Sequence, residues 1–242
     1  MHGPGPGAPV RLGDSGVVAL WTGREAGDQR ALGKGAGVPS QVPPGLVMRR
    51  LNQQHGCVVV AVDVPAVRGL CLPWPSVFDD RLLDADVMVC RGHRSCLAVL
   101  SADCATVALA SGEGVFAAAH VGWRGLVAGV IEQALLVMRS LGATGVSAGL
   151  GPCIHPCCYR FETPELDLLV NRYGQRVRAL TAQGEPALDL PQAVRSAFAA
   201  GEAQLVVDLD RCTACGDGSF SHRARHEEER QALYVWLEPD SP

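Results

Sequence analysis

Three residues far apart in the chain, His55, Cys104 and His120, carry donor atoms of the kind that hold a transition metal. Two of them are related by a hairpin. If residues 106–110 and 115–119 pair across a turn at Ser111-Gly112-Glu113, Cys104 falls opposite His120. Directly opposed residues have β-carbons about 4.5–5.5 Å apart, close enough for a thiolate and an imidazole to share one ion. His55 stands in Gln53-Gln54-His55-Gly56 just ahead of an apolar run, where a loop can project it over a sheet edge. Three protein ligands plus water make a catalytic rather than a structural zinc, and such an ion brings the pKa of its water from about 15.7 to about 7. Spacing alone leaves open that all three are ordinary core or loop residues.

The remaining cysteines read differently. Ten in a chain of this length, without a secretory leader, point to core packing, metal ligation or thiol chemistry rather than to disulfides. Cys57, Cys71, Cys90 and Cys96 sit in or beside apolar runs as small core residues. Cys153, His155, Cys157 and Cys158 have the composition of a second metal site, but neighbouring Cys157 and Cys158 are awkward ligands for one ion, which favours packing. Cys212-Thr213-Ala214-Cys215 has the form of half a zinc clip, and no second Cys-x-x-Cys completes it, so it reads as a loop feature. Asp103, one residue from Cys104, points to the opposite face of a strand and reads as structural. His222 and His226, with Glu227-Glu228-Glu229-Arg230, read as a solvated surface.

Positioning these groups falls to short β-branched runs at 57–62, 87–90, 97–100, 106–110, 115–119, 146–150, 204–209 and 232–237. A helical repeat spans 126–141 and stops at Gly142, and further helices are expected over 164–173 and 191–200, the latter opened by Pro191 and closed by Gly201. Strands and helices interleave without strict alternation, so the expected fold is α/β (α+β), with a mixed sheet covered by helices in a single domain. Residues 1–15, rich in Gly and Pro, read as a loose tail ahead of a domain at 16–242.

Composition narrows the partners. With 48% hydrophobic and 19% charged residues the chain has the makings of a compact core. A net charge of −4 with no basic block gives nucleic-acid binding no electrostatic support. The most apolar stretch, 98–123, is interrupted by Asp103, Glu113 and turn glycines, which excludes a membrane helix. A cytoplasmic protein acting on a small molecule is the expectation. The sequence carries no signal for oligomeric state.

Six motifs then occur in order: Gln53-Gln54-His55-Gly56, Ala102-Asp103-Cys104, Ala119-His120-Val121-Gly122-Trp123-Arg124-Gly125, Gly151-Pro152 with Cys157-Cys158-Tyr159, Cys212-Thr213-Ala214-Cys215, and Phe220-Ser221-His222-Arg223. Together they resemble the laccase-domain or polyphenol oxidase family, also described as purine nucleoside phosphorylases. The resemblance implies a three-layer fold with a mixed sheet, a metal held by His55, Cys104 and His120, zinc with copper as the alternative, and no metal at Cys157 and Cys158. It implies phosphorolysis of adenosine, inosine, guanosine or methylthioadenosine, with adenosine deamination beside it. Phosphate calls for arginine, whose planar fork binds it bidentately; Arg124 and Arg223 are the candidates, Arg124 joining Cys104 and His120 as a catalytic residue and Gln53 completing the substrate contacts. Each arginine reads equally as a surface pair. The His-x-Glu signature of zinc deaminases is absent.

The chain also departs from the family pattern. Where the family opens with Thr-Arg-x-Gly-Gly and a later Asn-Leu-Gly, only Thr22-Gly23-Arg24-Glu25-Ala26-Gly27-Asp28 is present, Arg160-Phe161 replaces Glu-Val, and His222-Arg223-Ala224-Arg225 replaces Tyr-Arg-Arg. These changes bear on one pocket wall and on substrate preference. Alternative readings are a copper-dependent phenol oxidase, a thiol hydrolase with Cys104 as nucleophile and His120 as base that edits peptidoglycan precursors, and a degenerate, non-enzymatic binding module.

Overall fold

The computed structural model describes residues 7–31, 38–63 and 82–238. Cys71, expected in the core, and residues 1–6 of the expected tail lie outside them. Among the described residues fourteen strands occur in chain order: β1 Val10–Arg11, β2 Val17–Trp21, β3 Val47–Asn52, β4 Val59–Val62, β5 Leu83–Asp84, β6 Val87–Arg91, β7 Ser95–Ser101, β8 Ala105–Ala110, β9 Val115–Val121, β10 Val146–Leu150, β11 Arg178–Leu180, β12 Pro186–Leu188, β13 Ala203–Asp208 and β14 Gln231–Leu237. The helices are α1 Trp123–Ala128, α2 Val130–Ser140, α3 Thr163–Tyr173, α4 Leu190–Ala200 and α5 His222–Arg225. No helix among the described residues is long and apolar enough to cross a membrane.

The expected mixed sheet is a six-stranded one ordered β13-β10-β8-β9-β6-β4. Helices cover one of its faces, and α1 to α4 contribute to the core on that side. The other face is covered by a second six-stranded sheet, β1-β2-β14-β7-β3-β5, which supplies the third layer. Side chains alternate as strand geometry requires: Ala105, Val107 and Leu109 of β8 face the helices, while Ala108 and Ala110 face the second sheet.

Three expectations change. Leu12 is fully buried and residues 7–15 are docked, because the chain turns at Gly13 (φ 62°) and β1 pairs with β2; this stretch is no loose tail. The single helix expected over 126–141 is two, since Gly129 adopts φ 84° and its N–H closes α1 on the carbonyls of Gly125 and Leu126. Pairing of β8 with β9 is two residues out of the expected register: the chain turns over residues 111–114, with Gly114 at φ 73°, so Thr106, not Cys104, lies opposite His120.

Trp21 locks the two sheets together. Its Nε1 donates to Thr106 Oγ1 at 3.1 Å, and its ring occupies the space that β-carbons on Gly149 and Gly151 would need, at 2.7 and 2.1 Å. Overfilling a packed core costs about 1–3 kcal/mol. Gly151→Ala is therefore expected to lower stability by at least that amount in urea unfolding, and Trp21→Leu in the same chain to restore part of it. A wild-type midpoint for the alanine variant would show that the sheets part freely here.

Candidate functional site

A carboxylate with no access to solvent organises the site. Asp86 is 0% exposed and precedes β6 by one residue. Its Oδ1 accepts from the His55 N–H and from His120 Nδ1, both at 2.9 Å, and its Oδ2 accepts from the N–H groups of Gly56 at 2.7 Å and Gln54 at 3.3 Å. A buried charge needs that many partners. Burial raises its pKa, but the hydrogen bonds from His120 and from the loop outweigh this and hold it below the usual carboxylate range. Wrapping the loop around the carboxylate puts His55 at φ 59°, with Gly56 following. Gln53 anchors the same loop: its amide donates to the Leu100 carbonyl and accepts from the Leu100 N–H, both at 2.8 Å.

His120 projects from the end of β9 and is 3% exposed. With Nδ1 turned to Asp86, its Nε2 is the nitrogen available to a ligand. Cys104 reaches the site from a loop rather than a strand. Asp103 before it has φ 103°, and the Ser101 hydroxyl donates to the Cys104 carbonyl at 2.5 Å. The rings of His55 and His120 meet edge to face at 4.8 Å. Donor atoms of His55, Cys104 and His120 all lie within 4.8 Å of one another. Burial alone would push the Cys104 thiol up, yet the charge and hydrogen bond of His120, with a hydrogen bond from His55, bring it down to about 6. Burial lowers His120 in turn, but Cys104 and Asp86 raise it to about 9. A thiolate available at neutral pH, an imidazole oriented by a carboxylate and a second imidazole are a donor set suited to zinc or copper.

The glycines of the His-Val-Gly-Trp-Arg-Gly motif make room for this. A β-carbon on Gly122 would stand 3.2 Å from Cys104 Sγ and 3.3 Å from His55 Cδ2, and one on Gly125 would stand 2.8 Å from the Gly56 carbonyl. Gly122 also caps the start of α1.

The three donors lie in the wall of a cavity of about 620 Å³. Arg124 and Arg223 line it, each over an aromatic ring: Arg124 4.5 Å from the Trp123 centroid, Arg223 5.3 Å from that of Tyr159. Asp103 holds Arg223 in place, its Oδ2 accepting the Arg223 N–H and its Oδ1 the Thr213 hydroxyl, both at 2.6 Å. The structure thus brings together His55, Cys104, His120, Arg124, Arg223 and Gln53, although the Gln53 amide is already engaged with Leu100. Asp103 makes structural contacts, but from a loop that lines the same cavity as Cys104 rather than from the opposite face of a strand as expected.

Several participants carried no expectation. Asp86 is marked in the sequence only as an acid directly ahead of a buried strand, and Arg50 lies within the partly exposed β3; Arg50 and Arg30 line the cavity, as does Arg230, expected on a solvated surface. Tyr159, buried against Phe161, is kept protonated by burial, which pushes its pKa upward. Glu227 is no solvated charge: the slight burial that raises its pKa is outweighed by the Ser221 N–H, Arg24 and Arg225, which hold it at about 2. Cys157, Cys158, Cys212 and Cys215, read as packing and loop residues, converge instead, with sulfurs within 4.8 Å of one another.

Residues 39–238 match the family described as multi-copper polyphenol oxidoreductase laccase. The chain is 36% identical over 202 residues to a purine nucleoside phosphorylase of Mycobacterium tuberculosis, covering 81% of this chain and 74% of that one. It is 35% identical over 192 residues to a purine nucleoside phosphorylase of Streptomyces coelicolor, covering 78% and 74%. Among solved structures, Neisseria meningitidis protein NMB0706 superposes with a TM-score of 0.73 at 26% identity, covering 95% of this chain and 98% of that one. YlmD from Geobacillus stearothermophilus gives 0.66 at 26% identity, covering 79% and 73%. With the match running through every element that builds the His55–Cys104–His120 site, this chain belongs to the laccase-like polyphenol oxidoreductase family.

Proposed function

We propose that the protein is a zinc-dependent purine nucleoside phosphorylase of the cytosol, cleaving adenosine, inosine, guanosine or methylthioadenosine with phosphate to give the free base and the sugar 1-phosphate. The observation that carries the reading is the placement of an oriented His–Cys–His set and two ring-stacked arginines around one cavity. Relatives named as purine nucleoside phosphorylases support it. The catalytic unit is one domain that takes in the β1–β2 hairpin, so it begins ahead of residue 16.

His55, Cys104 and His120 would hold the ion, which when bound supplies Lewis acidity at its remaining position. Arg124 and Arg223 bind phosphate and offset charge as the glycosidic bond breaks. Trp123 and Tyr159 fix the planes of those guanidinium groups, and Tyr159, kept neutral, offers a hydroxyl donor to the sugar or base. Gln53 acts by holding the His55 loop, and Asp86 by fixing the His120 tautomer. Adenosine deamination belongs to the same proposal; inosine formation from adenosine in phosphate-free buffer tests it, and its absence restricts the enzyme to phosphorolysis.

Two other readings draw on particular observations. The donor set accepts copper, which predicts blue absorbance and copper-dependent turnover of phenols. The low Cys104 thiol beside His120 suits a hydrolase, which predicts amide cleavage that survives chelation. Full metal loading with no turnover of any nucleoside would leave a binding module.

Elemental analysis of His55→Ala with His120→Ala is expected to show loss of the site's ion, together with loss of phosphate-dependent release of base. Wild-type turnover in that variant would remove the basis of the mechanism. Asp86→Asn should retain both imidazoles yet lose about 10–100-fold in metal affinity, the usual effect of removing a carboxylate behind a ligating histidine, measured by competition with a chelator. For Arg124→Ala, loss of a charged hydrogen bond worth about 1.5–3 kcal/mol predicts a rise in the KM for phosphate of about 10–100-fold. An unchanged phosphate KM would return Arg124 to a structural role.

A further inference from the structure

Cys157, Cys158, Cys212 and Cys215 form a donor set distinct from the one above. Cys157 Sγ lies 3.5 Å from Cys215 Sγ and 4.0 Å from Cys212 Sγ, and Cys158 Sγ lies 3.4 Å from Cys215 Sγ. Four sulfurs at the corners of a tetrahedron, each about 2.3 Å from zinc, are about 3.8 Å apart. These separations bracket that value. They are far from the bonded distance of about 2.05 Å, and every cysteine among the described residues is free. We infer that these four thiols hold a structural zinc ion that joins the loop after β10 to the loop after β13.

Simple packing accounts for the arrangement poorly. Free cysteines placed for packing are typically buried, as Cys90, Cys96 and Cys153 are, whereas Cys215 is exposed and the other three are only half-buried. Convergence of four thiols at a surface needs another cause. The loops are also shaped in advance. Cys153 and Cys212 form a bridge in which the Thr213 N–H reaches the Cys153 carbonyl at 3.0 Å. Pro156–Cys158 forms a single tight turn, which brings adjacent cysteines to one centre. The His155 N–H points to Cys212 Sγ at 3.3 Å, the kind of donor that stabilises a metal-bound thiolate. Arg225 ties the second loop from within, donating to the carbonyls of Thr213, Ala214 and Gly216 at 3.2, 3.5 and 3.3 Å.

With four protein ligands the site has no open position, so its role is structural. Binding Zn²⁺ releases one proton from each thiol that ionises, leaving a tetrathiolate of net charge −2. The consequence reaches the cavity through two short links. Cys158 precedes Tyr159, whose ring lies under Arg223, and Cys212 precedes Thr213, whose hydroxyl holds Asp103. The ion therefore fixes the two segments that place Arg223.

Zinc content and cobalt spectra decide the matter, using the full chain, Cys212→Ser with Cys215→Ser, and His55→Ala with His120→Ala. The proposal expects two zinc ions per wild-type chain, one in each double variant, and the intense thiolate-to-cobalt absorption of a tetrathiolate in the histidine variant loaded with Co²⁺. If the cysteine variant does not fold, wild-type stoichiometry and the cobalt spectrum still decide. One ion per wild-type chain that disappears in the histidine variant overturns the inference while sparing the catalytic site; one that survives there supports this site and removes the other. A disulfide among the four in the native mass, or an iron–sulfur chromophore, also overturns it.

Discussion

Everything in the active-site region hangs on a carboxylate that has no water to solvate it. Asp86 accepts four hydrogen bonds, three from consecutive backbone N–H groups of the 54–56 loop and one from His120. Ionisation there is tolerable only because these donors replace the lost hydration. The same four bonds aim both imidazoles. His55 owes its left-handed backbone to the wrapping of its loop, and His120 owes its free Nε2 to the carboxylate at Nδ1. One buried charge thus positions two of three donors, and the third, Cys104, is delivered by the reversal at Asp103.

Asp103 plays the corresponding part for the segments gathered beside Cys104. Its carboxylate gathers Thr213 and the Arg223 backbone, while its carbonyl accepts the Ile154 N–H at 2.8 Å. Three separate chain segments meet on one residue beside a donor atom. Two acids therefore define the relative positions of the Cys104 thiol, the imidazoles and an arginine.

Much of this was legible in the residues, and the failures have physical causes. Strand β10 and helices α3 and α4 are legible close to their observed bounds, because each combines an apolar run with a proline or glycine at its end. The trio His55, Cys104 and His120 is legible in its residue types and motifs, but not the hairpin register: pairing is displaced by two residues, the partner of His120 is Thr106, and Cys104 arrives by another route. Asp86 was overlooked since an acid before a strand has no periodic signature and its partners come from loops distant in sequence. The cysteine quartet was divided for the same reason. Its halves lie more than fifty residues apart, and an adjacent pair does not look like the complement of a Cys-x-x-Cys.

The place of β14 in its sheet has a consequence for the order of assembly. This strand, formed by residues 231–237, lies between β2 and β7 and is paired with both. Until it arrives, the two strands present unpaired edges to one another across a gap, and Trp21 has a sheet to rest on but no complete sheet of its own. On the ribosome, the β1–β2 hairpin must therefore wait, exposed, until residues 231–237 have been synthesised before its layer can close, a long-range dependence that slows folding and makes chaperone protection of the nascent chain most valuable at that stage.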